Sequence, residues 1–150
     1  MRKRGAHFSG KHHVDPLAAF RSAGRQHPLD DSQTLRLGIV LRTHLEAVRT
    51  GKADEYAFHH LGAAVNTSMV MAESSGDDEL SAIIGAAQKA IVRLRENGNS
   101  KGRWLLDGPG LQALMTWVTH YESQLATVSQ QDAMNALDEV TRRVQRGIVF

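Results

Sequence analysis

From Asp30 onward the apolar positions recur at steps of three and four, the spacing that lays one stripe along a helix. Leu37, Val40, Leu41, His44, Leu45 and Val48 form the first stripe, after a capping position at Asp31 or Ser32 and before the stop Thr50-Gly51-Lys52. Phe58, Leu61, Gly62, Val65, Met69 and Ala72 repeat the spacing after Asp54, and Ser74-Ser75-Gly76 ends that run. A third run starts at Asp77, Asp78 and Glu79, whose charge complements the helix dipole, as Arg93 and Arg95 do at its other end. Its inward face is Leu80, Ile83, Ile84, Ala87, Ile91 and Leu94.

The turn formers of Asn97-Gly98-Asn99-Ser100-Lys101-Gly102 predict the longest interruption in the body, followed by an extended Arg103-Trp104-Leu105-Leu106 closing one end of the helices. Asp107-Gly108-Pro109 opens a fourth helix with Leu111, Leu114, Val118, Tyr121 and Leu125 inward and Trp117 at the edge of the stripe. Ser129 with Asp132 resembles a capping box and opens a fifth, with Ala133, Leu137, Val140 and Val144 inward. That helix closes on Arg142, Arg143, Arg146 and Gly147. Short links between such helices predict an all-α fold, an antiparallel bundle of about five helices. Gly62 and Gly85 sit inside consecutive helices, where glycine costs about 1 kcal/mol against alanine, so a close approach of helices two and three is expected there.

Residues 1–28 follow no such pattern. They carry Arg2, Lys3, Arg4, Lys11, Arg21 and Arg25 against the single acid Asp15, a net +5, whereas residues 29–150 carry a net −3. Two segments are therefore expected: a basic, flexible arm over 1–28 and a helical bundle domain over 29–150. The arm's compact apolar patch is Leu17, Ala18, Ala19 and Phe20, with Asp15 and Pro16 suited to starting a helical turn. Phe20 is then an anchor, on the body or on a partner.

The absence of cysteine removes disulfides and thiolate chemistry. With no apolar run of spanning length, the reading is of a soluble, cytoplasmic protein with no membrane contact. Eight histidines are present, four of them, His7, His12, His13 and His27, in the arm. In the body, Glu55 and His59 share a helix face, and His44, His60 and His120 are the other candidates for a metal- or histidine-dependent enzyme. No Glu-x-x-His pair, phosphate-cradling glycine loop or nucleophile elbow accompanies them, so a non-enzymatic protein without metal or cofactor is expected. Leu125-Ala126-Thr127-Val128-Ser129 is too compressed for a helix-turn-helix, and Asp132, Asp138 and Glu139 would repel phosphate. A nucleic-acid-binding regulator would therefore contact phosphates through Arg2, Lys3, Arg4, Lys11, Arg21 and Arg25.

Lys101-Gly102-Arg103-Trp104-Leu105-Leu106-Asp107-Gly108-Pro109-Gly110-Leu111-Gln112-Ala113-Leu114, followed by His120-Tyr121-Glu122-Ser123-Gln124-Leu125, resembles small, uncharacterised, all-helical proteins of proteobacterial phages, prophages and plasmids. Those proteins also begin with a short Arg/Lys-rich arm, as Met1-Arg2-Lys3-Arg4 does here. The resemblance implies no activity and no catalytic residue. It implies a context, in which a small protein of a mobile element binds and modulates a host protein or complex, in the manner of an anti-defence or anti-CRISPR inhibitor. Phe20, Lys101, Arg103, Trp104 and Trp117 are the candidate protein contacts, and the apolar Ile148-Val149-Phe150 suits a homodimer contact.

Overall fold

The computed structural model describes residues 29–148. The arm, with Arg2, Lys3, Arg4, Lys11, Phe20, Arg21 and Arg25, lies outside the described residues, as do Val149 and Phe150. Five helices follow in order: α1 Asp31–Arg49, α2 Glu55–Ala72, α3 Asp78–Lys101, α4 Gly108–Thr127 and α5 Gln130–Gln145. The described residues are all-helical, as the periodicity predicts.

Each helix starts where a short polar side chain can satisfy orphan amides. Asp30, rather than Asp31 or Ser32, caps α1 in a full capping box: the Gln33 amide donates to Asp30 Oδ1 at 2.7 Å and the Asp30 amide to Gln33 Oε1 at 3.0 Å. Asp54, Asp77 and Asp107 cap α2, α3 and α4 through their side chains. Ser129 caps α5, accepting from the Asp132 amide at 3.1 Å while its hydroxyl donates to Asp132 Oδ2 at 2.8 Å.

α1, α2, α3 and α4 pack in a closed ring, each on its chain neighbour and α4 back on α1. α2 touches all four other helices. Its composition suits that place, since Ala57, Leu61, Gly62, Ala64, Val65, Thr67, Ser68 and Ala72 are all buried. The buried hydroxyls are satisfied: Thr67 donates to the Ala63 carbonyl at 2.8 Å, and Ser68 donates to Gln124 Oε1, whose Nε2 donates to the Ser68 carbonyl at 3.1 Å. α5 packs on α2, tied at one end by Gln130 to Gln33 of α1 and at the other by Arg143, which donates to both Glu73 oxygens at 2.5 and 2.7 Å.

Three sequence expectations change. The turn formers after Glu96 do not end α3, which runs to Lys101 and stops at Gly102, in the left-handed conformation with φ 62°. Two of their polar side chains find partners within the helix and its loop: Asn97 donates to the Leu105 carbonyl at 2.8 Å and Ser100 to the Glu96 carbonyl at 2.6 Å. Gly98, rather than Gly62 or Gly85, is the glycine whose lack of a side chain serves packing on a ring, because a Cβ there would enter the Trp104 ring; Gly85 meets nothing within 4 Å, and Gly62 makes only an ordinary contact with Ile91 at 3.5 Å. Trp117 is fully buried, not at an edge, which removes it from the candidate partner contacts. It stacks on Tyr121 with ring centroids 5.2 Å apart. Among the described residues neither the indole N–H nor the Tyr121 hydroxyl has a hydrogen-bond partner, and burial pushes the phenol well above its ordinary range.

Candidate interaction surface

α1 carries more apolar residues than its core-facing side accepts. Leu37, Gly38, Leu41, Leu45 and Val48 are buried, whereas Leu35, Ile39 and Val40 are 64%, 55% and 41% exposed. Val40 therefore leaves the inward stripe in which its spacing placed it, and so does Val144 of α5. At 3.6 residues per turn the exposed residues divide between two flanks of α1 about 120° apart. Leu35 and Ile39 lie on the flank of Gly38 and Arg42, which meets α4 through a bidentate Arg42–Glu122 pair at 3.1 and 3.0 Å. Val40 lies one turn before His44, on the flank that meets α2.

At that second flank three rings gather. His44 of α1 approaches His60 of α2 with centroids 4.7 Å apart, and Tyr56 lies 4.5 Å from His60 and 5.8 Å from His44, edge to face. His60 is half-buried, its Nδ1 is out of solvent, and that nitrogen has no hydrogen-bond partner among the described residues. Burial, followed by the neighbouring His44, pulls the His60 imidazole down to about 4. Burial also lowers His44, partly opposed by Asp54. Both imidazoles are thus held neutral at neutral pH, so this flank presents ring faces, with Tyr56 half exposed and the exposed Val40 one turn before His44, rather than cations.

The other body histidines do not join them. His59 faces Glu55 across one turn at 3.4 Å and packs on Phe58 at 5.0 Å. His120 lines a separate open groove of about 300 Å³ with Asp77, Glu79, Leu80, Ser123, Gln124 and Thr127, where α3 begins beside α4. The four-histidine cluster considered from sequence is therefore not formed. Among the described residues no group of three or more His, Asp or Glu side chains is arranged to hold a metal ion.

The long connection is committed to the fold more than to the surface. Trp104 packs on Gly98 and stacks on Phe58 at 5.2 Å, and it stays partly exposed. Lys101, at the end of α3, and Arg103 are exposed on either side of Gly102. Tyr56, Leu35 and Ile39 are the surface residues that sequence reasoning missed. A signal for two of them was present: Leu35, Leu37, Ile39, Val40, Leu41 and Leu45 are too many apolar residues for one face of one helix.

Among the described residues no helix is long and apolar enough to cross a membrane. Comparison with family models, with curated proteins and with solved structures finds no match to this chain.

Proposed function

We propose that the chain is a non-enzymatic interaction or regulatory protein of a mobile genetic element, which binds a host protein through the outer α1–α2 face. The observation that carries this reading is the ring-lined flank formed by Val40, His44, Tyr56 and His60. Neutral imidazoles beside an exposed tyrosine and valine offer apolar and aromatic contact with few charges to desolvate, the composition that anchors protein interfaces. The partner this face fits is a protein segment presenting an apolar or aromatic side chain. Exposed Lys101 and Arg103, and the cationic residues of 1–28, add charge for an acidic partner surface. The mobile-element context follows from the resemblance alone, and inhibition of a host defence complex is the form of modulation it suggests.

Full-length chain immobilised in lysate of a proteobacterial host, against a Val40→Glu/Tyr56→Ala variant, tests the reading. Because both side chains are substantially exposed, the variant keeps the fold. Saturable capture of one host protein by the wild type, lost with the variant, is the expected result. No saturable partner, or equal capture by both chains, overturns it.

A further inference from the structure

The opposite flank of α1 carries a second, separate signal. Leu35 and Ile39 are one turn apart and more than half exposed, and Asp31, also exposed, stands one turn before Leu35 on the same line. We propose that the segment Leu17–Phe20 of the same chain covers this pair, with Phe20 seated against Leu35 and Ile39.

Where the chain enters the described structure favours this occupant. Leu29 is buried in the core and Asp30 caps α1, so residues 1–28 join the bundle at the N-terminus of α1, beside the exposed pair. Leu35 and Ile39 stand about 6 and 12 Å along the helix axis from Asp31. The eight residues between Phe20 and Leu29 can span up to about 28 Å, enough to fold back over that distance. Leu17-Ala18-Ala19-Phe20 is the compact apolar patch of the first 28 residues, and it is followed by Arg21, opposite in charge to Asp31. A tethered segment also covers the pair without the association cost of a separate partner.

The inference is independent of the ring-lined flank, and its test reads a different surface. In the full-length chain, isotope-filtered NMR on a mixture of labelled and unlabelled protein separates contacts within one molecule from contacts between copies. The expected result is a set of intramolecular nuclear Overhauser effects from the Phe20 ring to the Leu35 and Ile39 methyls. A Leu35→Ser/Ile39→Ser variant, folded because both residues are exposed, then speeds amide exchange over residues 17–21 by about tenfold. Contacts seen only between copies would replace the proposal with a dimer interface. Absence of any such contact, or exchange over 17–21 unchanged in the variant, would overturn it.

Discussion

At the scale of single residues, the core contains polar groups that the fold leaves without partners. The Tyr121 hydroxyl is fully buried and unpaired, so it forfeits its hydration on folding and receives no hydrogen bond in return. Tyr121→Phe removes that group while keeping the ring stacked on Trp117, and is expected to raise the free energy of urea unfolding by about 1 kcal/mol. A loss of similar size would mean that the hydroxyl has a partner. His60 makes a prediction with a defined pH window. Its folded value lies near 4, below the ordinary 6.5, so the unfolded chain binds the proton first. Stability is intact above 6.5 and falls as pH drops from 6.5 to about 4, because the unfolded state takes up the proton that the folded state refuses. Screening of the half-buried ring reduces the effect to about 1–2 kcal/mol. Unfolding measured at pH 7.5 and 4.5 should show a larger acid loss in wild type than in His60→Leu, in which His44, also lowered by burial, still contributes. The carboxylates of Glu73 and Glu139, held low by Arg143, lose stability as pH falls through their ordinary 4.5, and because both chains carry them that loss cancels in the comparison.

At the scale of elements, Gly98 and Trp104 decide how α3 joins α4. Helix propensity alone favours ending α3 at Asn97, yet the helix continues because Gly98 lets the Trp104 ring lie on its backbone and Asn97 ties the returning loop at Leu105. Gly98→Ala should raise helix propensity and still destabilise the protein by about 1–3 kcal/mol, since the new Cβ enters the indole. Combined with Trp104→Leu, most of the added cost of the alanine should vanish; a double-mutant cycle by thermal unfolding that gives simple additivity would contradict the contact. This pair also shows why the end of α3 was hidden in the sequence. The five helices, most of their inward residues, though not Val40, Val144 or Trp117, and the caps at Asp54, Asp77 and Ser129 were legible because they follow local period and local hydrogen bonding. The continuation past Asn97 depends on a ring six residues beyond Gly98 folding back, which local rules do not contain. The ring-lined flank was half legible for a related reason: His44 and His60 stood out, but only the packing of α1 on α2 brings them together, and Tyr56 carried no periodic signal.

At the scale of the molecule, α2 forms the centre, and α1 keeps three large apolar groups on its outward side, more than any other helix among the described residues. Leu41, Leu45 and Val48 already fill its inward face, each contributing about 1.5–3 kcal/mol of burial, so folding does not require Leu35, Ile39 or Val40. Their retention on the surface supports the proposal that α1 is the interacting helix, with one flank for a partner and the other for the chain's own first residues. The most direct measurement is the affinity of the captured host protein for purified wild type, for Val40→Glu/Tyr56→Ala, and for Lys89→Glu on the exposed side of α3 as a control. Loss of two interface anchors worth about 2 kcal/mol or more predicts a dissociation constant raised at least thirtyfold in the α1–α2 variant and unchanged in the control. Equal affinity for wild type and the α1–α2 variant would contradict the assignment of this face.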